Sequence, residues 1–274
     1  MSFKFSDVCI EEYHTQGYTV LRGILPPSLI RDLRRVTDDA RKIAREERGP
    51  QTQRLQPVAN FDIDQQPFLD YAELSVLNDA ISRLLTPHHY YGNRNMLGVL
   101  LEPAELPYCT AWHRDWRDNV AGLDLSDWES LFLDINLFNQ VNCSLYEDSC
   151  TWVVPGSHLR RDLPREVRRF PDRPIQAPDF EGKRIEEREQ TGLEYCRSMP
   201  GAVRLHLDAG DFTLYRNTLW HLGNYVPYQK RATLHDAVDT PEFVAWRENA
   251  LRNAQERRAS GIGMENPNQP ADKS

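Results

Sequence analysis

The spacing of hydrophobic residues changes about one-third of the way along the chain. Before that point, apolar residues recur at helical spacing, first at Leu29, Leu33 and Val36 and again near residues 73–85. From about residue 95, short apolar or alternating runs follow one another, separated by Gly, Pro, Asn and Asp. Such runs predict the strands of a β-sandwich or barrel-like core, with added helices on its N-terminal side. The runs are MLGVLLE (96–102), SLFLDINLF (130–138), TWVVPG (151–156), AVRLHL (202–207), DFTLY (211–215) and RATLHDAV (231–238).

Turn and capping residues predict where the helices begin and end. Gly49–Pro50 would stop the long N-terminal helix, and Thr240–Pro241 is typical of the start of a last helix. We expect that last helix to pack on the body of the protein through one apolar face. The chain is therefore predicted to be one domain over residues 1–259, followed by a disordered tail over residues 260–274.

Residues 159–200 differ from the rest of the predicted domain. They are rich in Arg, Glu, Asp and Pro and show little periodicity, which predicts a loop-rich insertion. Two interpretations stay open at this point. The insertion is either a solvated surface segment or a lid over a functional site.

Composition limits the classes of partner. The chain has 274 residues, of which 40% are hydrophobic, and a formal net charge of −8. An acidic chain of this kind is not expected to bind nucleic acid or an anionic membrane along its length. No apolar stretch reaches the ~18 residues that a membrane span needs, and no signal peptide is indicated. The cysteines show no CxxC pair, which fits a reducing cytoplasm rather than a disulfide framework or a zinc site: Cys9, Cys109, Cys143, Cys150 and Cys196.

The segment PYCTAWHRDWRDN (107–119) carries the most distinctive chemistry in the chain. On an extended segment, His113 and Asp115 point to the same side, because side chains alternate with a period of two. By themselves they could be a metal half-site, an acid/base pair or a surface ion pair. His221 and Arg231, each next to a predicted strand, favour the metal site. Two histidines and a carboxylate form the facial triad of non-haem iron(II) oxygenases, which leaves coordination positions open.

The residues that alternate with this pair should face the other way. We expect Trp112 and Trp116 to point away from the proposed iron and to pack. Arg114 shares their side, where packing is the favoured role and contact with a substrate is the alternative.

With these residues in place, the sequence resembles the phytanoyl-CoA dioxygenase family of iron(II)/2-oxoglutarate oxygenases. The resemblance implies a double-stranded β-helix, a jelly roll of the cupin-like kind, which agrees with the predicted strands. It covers roughly residues 10–238. The segments that carry it are EEYHTQGYTVLRGIL (11–25), AWHRD (111–115), YEDSCTWVVPGSH (146–158) and AGDFTLY (209–215), followed by His221 and Arg231.

The resemblance also implies a role for each site residue. His113, Asp115 and His221 would ligate Fe(II), and Arg231 would hold the distal carboxylate of 2-oxoglutarate through its planar guanidinium. Two polar residues are weaker candidates for contact with this co-substrate, namely Thr110 and Asn95.

One position departs from the family pattern. Many relatives carry a serine or threonine two residues after the distal histidine, but this chain has Gly223 there. A hydroxyl contact to the co-substrate is therefore missing, and another group must complete the carboxylate pocket.

The predicted function is that of an iron(II) and 2-oxoglutarate-dependent dioxygenase. It would use O₂ to hydroxylate a small-molecule substrate and would release succinate and CO₂. Asp115 favours hydroxylation over halogenation, because halogenases of this group have a small residue there. Two alternatives stay open: a silent metal- and 2-oxoglutarate-binding or sensing protein, and a cupin-like isomerase or hydrolase that uses another metal. The sequence indicates neither the substrate nor the oligomeric state.

Overall fold

Two antiparallel β-sheets lie on either side of a cavity in the computed structural model, which describes residues 3–85, 90–91, 96–164, 166 and 176–261. The strands are Tyr18–Leu21 (β1), Arg54–Leu55 (β2), Tyr90–Tyr91 (β3), Gly98–Leu101 (β4), Tyr108–Cys109 (β5), Asn139–Ser144 (β6), Thr151–Val153 (β7), Val203–Arg204 (β8), Phe212–Arg216 (β9), His221–Tyr225 (β10), Ala232–Asp236 (β11) and Val238–Asp239 (β12). The α-helices of the described residues are Val8–Gln16 (α1), Pro27–Arg48 (α2), Gln66–Ala72 (α3), Ser75–Leu84 (α4), Leu125–Leu131 (α5), Ile185–Ser198 (α6) and Pro241–Ala259 (α7).

Strand pairing gives the two sheets different sizes. Over the described residues, the larger sheet has the order β1-β9-β6-β11-β4-β2 and the smaller one the order β5-β10-β7-β8. A short ribbon of β12 and β3 stands apart from both. The strands predicted near residues 96–102, 151–156, 202–207 and 231–238 are present with shorter bounds, and the strand predicted at 211–215 is present one residue later, as Phe212–Arg216.

One face of the larger sheet is apolar and the opposite face is polar. Val141 of β6 lies opposite Leu214 of β9, and Cys143 of β6 lies opposite Leu234 of β11. All four are fully buried in the main hydrophobic cluster beneath the N-terminal helices. On the opposite face, Gln140 and His235 line the cavity. This is the period of two expected for a strand that has one core face. The sheet therefore turns its polar residues toward the functional region.

The predicted helix at the N-terminal side is α2, whose apolar stripe anchors the larger sheet. Leu29, Leu33 and Val36 are buried at the predicted spacing, and burial of such side chains is the main force that holds an amphipathic helix in place. The helix ends at Gly49, which adopts a φ of 87°. None of the described helices combines the length and the apolar character needed to cross a membrane.

One predicted strand is wrong. The run SLFLDINLF (130–138) forms the end of α5 and a set of turns, and the strand begins only at Asn139. The backbone carbonyls of Phe132 and Asp134 accept hydrogen bonds from the buried guanidinium of Arg216. Because a side chain from β9 satisfies these carbonyls, the segment needs no partner strand.

The insertion 159–200 is more regular than its sequence suggests. Residues Ile185–Ser198 form α6, which packs on β5 and β10 at the outer side of the smaller sheet, with Cys196 fully buried. The expectation of a loop-rich insertion is therefore wrong for this part. None of the described residues in 159–200 lines the cavity. Residues 165 and 167–175 and most of the predicted tail, residues 262–274, lie outside the described residues, and the lid stays a prediction.

Candidate metal centre

The smaller sheet brings the two predicted histidines side by side. His113 and His221 form an antiparallel bridge, with backbone N–H···O distances of 3.1 and 3.0 Å, and their ring centroids are 4.2 Å apart. The carboxylate of Asp115 lies beside both rings, 3.4 Å from Nε2 of His113 and 3.6 Å from Nε2 of His221. The ligand atoms of the three residues all lie within 4.8 Å of one another. The structure thus brings together the three residues predicted to bind a metal.

Backbone hydrogen bonds prepare both imidazoles for ligation. Nδ1 of His113 lies 2.7 Å from the carbonyl oxygen of Ala111, and Nδ1 of His221 lies 2.9 Å from that of Leu219. A carbonyl only accepts, so each Nδ1 carries a proton and each Nε2 is left to bind either a second proton or a metal ion. Both Nε2 atoms face Asp115, and an Nδ1–H bound to a backbone carbonyl is the arrangement that metal-binding histidines have in proteins.

The electrostatics of the three groups favour a positive charge between them. Burial by itself would raise the pKa of Asp115, but the charge of His221 and the hydrogen bond with His113 hold the pKa far below its usual range. Burial would lower the pKa of His113, yet its hydrogen bond with Asp115 raises the pKa above the usual value. A carboxylate that stays ionised when buried needs a cation, and a divalent metal ion meets that need. Two further contacts hold Asp115 in place: its backbone N–H donates to the carbonyl oxygen of Asn217, and the side chain of Asn119 donates to its carboxylate.

The triad lies in a cavity of about 840 Å³, which has room for small organic molecules as well as a metal ion. Polar side chains of the larger sheet form the wall of this cavity. His235 is held there by Asn142, 2.9 Å from its Nδ1, and by Gln140, 2.8 Å from its Nε2. Burial lowers the pKa of His235 well below its usual value, so the ring is neutral.

Arg231 lines the same cavity and is held rigidly. Its Nε donates to Oδ2 of Asp148 over 2.7 Å, and Asp148 also accepts a hydrogen bond from Thr233. Burial would lower the pKa of Arg231, but the adjacent Asp148 raises it above the usual value, so the guanidinium stays charged. Its Nη1 is buried and has no hydrogen-bond partner among the described residues. An unpartnered N–H of a fixed guanidinium is suited to bind a carboxylate.

The two weaker candidates for co-substrate contact have different outcomes. Thr110 lines the cavity, but its hydroxyl accepts a hydrogen bond from the backbone N–H of Gly223 over 2.9 Å and lies 3.4 Å from the carbonyl of Gly223. Its first role is therefore to join β10 to the segment that carries His113. Asn95 lies outside the described residues.

Comparison with known proteins gives one family match. The model of the phytanoyl-CoA dioxygenase (PhyH) family matches residues 144–224, which include His221 and Gly223. The resemblance to this family is confirmed. The match does not extend to His113, Asp115 or Arg231. No curated protein matches the sequence.

Solved structures extend the comparison to most of the fold. HygX from Streptomyces hygroscopicus, with nickel and 2-oxoglutarate bound, has a TM-score of 0.57 and 16% identity, and the match covers 86% of this chain and 88% of HygX. SnoN, a non-haem α-ketoglutarate-dependent epimerase from nogalamycin biosynthesis, has a TM-score of 0.51 and 17% identity, with coverage of 85% and 79%. EvdMO1 has a TM-score of 0.56 and 17% identity over 85% of this chain, which spans about half (49%) of EvdMO1. At these identities the likeness shows the fold, and the predicted jelly-roll, cupin-like class is confirmed.

The departure from the PhyH pattern at Gly223 has a structural explanation that the sequence analysis missed. A Cβ atom added at Gly223 would lie 2.0 Å from the hydroxyl oxygen of Tyr225. The tyrosine, two residues further along the same face of β10, folds back over the glycine and fills the space of the absent side chain. Strand alternation alone places His221, Gly223 and Tyr225 on one side, and this could have drawn attention to Tyr225.

The predicted orientation is right for Trp112 and wrong for Trp116. Trp112 is fully buried in the cluster beneath the smaller sheet. Trp116 has a φ of 67°, and this left-handed conformation breaks the alternation and turns its ring into the cavity. The ring packs edge-on against Phe243 and Trp246 of α7. The last helix therefore closes one side of the cavity as well as packing on the body.

Arg114 has the packing role. Its side chain is 1% exposed, and its guanidinium donates to the carbonyls of Ser157 (2.8 Å) and Thr218 (2.5 Å) and to Asp162 (3.2 Å). These bonds tie the segment that carries His113 and Asp115 to the turn before His221. Arg114 does not line the cavity.

Proposed function

We propose that this protein is a non-haem Fe(II) and 2-oxoglutarate-dependent dioxygenase that hydroxylates a small-molecule substrate. One observation carries the proposal: His113, Asp115 and His221 gather their ligand atoms in one cavity that Arg231 also lines. A metal site alone would not need a guanidinium with a free N–H nearby. The family match, and the nickel and 2-oxoglutarate bound by HygX, support the same assignment.

The donor set fits iron. Two neutral imidazoles and one carboxylate suit a borderline metal ion, and three protein ligands leave positions open for a bidentate co-substrate and for O₂. Iron(II) bound there would couple the conversion of 2-oxoglutarate and O₂ into succinate and CO₂ to the oxidation of a substrate C–H bond. The protein's own contribution is to hold the ligands through the carbonyls of Ala111 and Leu219 and to fix the carboxylate through Asn119.

Arg231 is proposed to hold the distal carboxylate of 2-oxoglutarate, with Thr110 and Asn95 as lesser contacts. Asp148 pairs with one side of the guanidinium and orients it. An oriented guanidinium loses little freedom when it binds a carboxylate, so affinity depends on geometry that is already present.

The polar wall of the cavity supports a polar substrate. Arg54 lies 3.4 Å from Nε2 of His235 and pairs with no carboxylate in the described part of the chain. The other guanidiniums that line the cavity are paired, Arg231 with Asp148 and Arg247 with Asp239. A substrate with a polar or anionic group would find a charged donor at Arg54. We place the enzyme in the cytoplasm, which its free cysteines support.

Anaerobic titration tests the assignment directly. Fe(II) and 2-oxoglutarate added to the protein should produce the visible charge-transfer band of the chelate, and O₂ should then yield succinate in a screen of small polar metabolites. His113→Ala and His221→Ala should lose the band, whereas His206→Ala, an exposed histidine outside the cavity, should keep it. A full band in both ligand variants would exclude this metal site.

The product of turnover decides the kind of oxidation. SnoN is an epimerase and SnoK a carbocyclase, and both share this fold. A product heavier by one oxygen atom would support hydroxylation. A chelate that forms without O₂ consumption across the screen would instead favour a binding or sensing protein.

A further inference from the structure

The end of the cavity beside Arg231 contains a second donor that has no assigned role. The guanidinium of Arg231 lies over the ring of Tyr225, 5.0 Å from its centroid. The hydroxyl of Tyr225 has no hydrogen-bond partner among the described residues, and the residue lines the cavity. Nη1 of Arg231 also has no hydrogen-bond partner among the described residues. Two residues in contact, Arg231 and Tyr225, therefore each offer an unpartnered donor and line the cavity.

The direction of the tyrosine side chain places its hydroxyl toward the metal centre. His221, Gly223 and Tyr225 follow one another on the inner face of β10. The hydroxyl oxygen comes within 2.0 Å of the position a Cβ at Gly223 would take, so the side chain runs back along its own strand toward His221. The hydroxyl therefore lies beside Gly223, between the His221 and Tyr225 positions of β10, in the cavity that the triad and Arg231 also line.

We propose that the hydroxyl of Tyr225 donates a hydrogen bond to the distal carboxylate of 2-oxoglutarate, together with Arg231. Tyr225 thus replaces the hydroxyl that Gly223 cannot provide, and the glycine is needed to leave room for the tyrosine. This inference rests on the proposed function.

The hydroxyl is suited to donate rather than to ionise. Burial raises the pKa of Tyr225 to about 12, and the neighbouring Arg231 only partly offsets this. The phenol keeps its proton at neutral pH, and a neutral hydroxyl is a donor to a carboxylate. The ring of Tyr108 stacks on that of Tyr225, with centroids 6.0 Å apart and an interplanar angle of 20°, and holds it in place.

Tyr225→Phe removes only the proposed donor and keeps the ring that packs on Arg231 and Tyr108. A hydrogen bond to a charged group is worth about 10- to 100-fold in affinity. We expect 2-oxoglutarate to bind the Mn²⁺-loaded variant 10- to 100-fold more weakly than the Mn²⁺-loaded wild type, measured by calorimetry, with Mn²⁺ affinity and melting temperature unchanged. Tyr108→Phe removes a hydroxyl from the same cavity and is the matched control, which should bind 2-oxoglutarate within about twofold of wild type.

A ligand without the distal carboxylate tests the contact itself. 2-Oxobutyrate keeps the metal-binding end of the co-substrate and lacks the second carboxylate. Its affinity should be the same for wild type and Tyr225→Phe, because the lost hydroxyl would have no partner. An equal loss for both ligands would show that the variant disturbs the site as a whole and would overturn the proposal.

A rescue experiment moves the hydroxyl from position 225 to position 223 and measures the affinity for 2-oxoglutarate. Tyr225→Leu should bind 2-oxoglutarate weakly, and adding Gly223→Ser to it should restore at least part of the affinity, since the ring that blocked position 223 is gone. Gly223→Ser alone should bind poorly, because its Cβ collides with Tyr225.

The outcomes separate this inference from the proposed function. If the metal-loaded wild type fails to bind 2-oxoglutarate, the proposed function is wrong and the inference falls with it. If wild type binds and Tyr225→Phe binds equally well, the proposed function stands and the role of Tyr225 is refuted.

Discussion

A buried carboxyl in the cavity wall should make the stability of this protein depend on pH. Asp236, at the end of β11, is 4% exposed. Its Oδ1 accepts a hydrogen bond from the N–H of Ala237 over 2.8 Å, but its Oδ2 is buried without a partner among the described residues. Burial raises the pKa of Asp236 to about 7, and the charge of Asp239 adds to the rise, while Arg247 opposes it.

The direction of this pH dependence follows because Asp236 binds its proton more tightly in the folded state than in the unfolded chain. The folded state holds the proton on Asp236 up to about pH 7, whereas the unfolded chain releases it near the usual value of 3.8. Stability from this group is therefore complete below about pH 4 and is lost as the pH rises through 7. At about 1.4 kcal/mol per pKa unit, the whole loss is about 4 kcal/mol, of which about 3 kcal/mol falls between pH 5 and pH 8.

Asp236→Asn removes this titration and keeps an acceptor for Ala237. We expect its free energy of unfolding, relative to wild type, to rise by about 3 kcal/mol between pH 5 and pH 8. Urea unfolding of the metal-free proteins, followed by fluorescence at several pH values, measures the difference. Asp32→Asn, an exposed carboxyl on α2, controls for the loss of one charge. A difference that stays constant across this pH range would refute the reasoning.

Three further predictions concern a binding contact, a structural contact and a surface helix. Arg231→Lys keeps the charge but loses the planar fork, so 2-oxoglutarate should bind at least about tenfold more weakly, a cost of ~1.4 kcal/mol, with metal affinity retained; unchanged affinity in a calorimetric titration would give Arg231 another role. Arg114→Met should destabilise the fold by about 3 kcal/mol in urea, because it leaves the carbonyls of Ser157 and Thr218 without their donor; a loss below about 0.5 kcal/mol would contradict this. Amides of α6 should stay protected from hydrogen exchange with and without metal and 2-oxoglutarate, because the face of the helix that carries Cys196 is buried. Rapid exchange in every state would show that the helix is not packed as described.

Local patterns along the sequence determined much of this protein's architecture. The apolar stripe of α2 is visible in the spacing of Leu29, Leu33 and Val36, because neighbours on a helix face are near in the chain. Alternation likewise put His113 and Asp115 on one side before any fold was known. The resemblance to the PhyH family also drew attention to Gly223, where a hydroxyl was expected.

Only the tertiary structure decided which distant groups meet and where alternation fails. His113 and His221 become neighbours through a backbone bridge between segments far apart in the chain. Arg216 of β9 donates hydrogen bonds to two backbone carbonyls of the segment 130–138, so that an apolar, strand-like run forms turns. Tyr225 fills the space above Gly223 because the side chain folds back along the strand. The physical reason is common to all three: strand pairing and side-chain packing depend on partners that a local pattern does not contain, whereas helical and strand periodicity depend only on the order of adjacent residues.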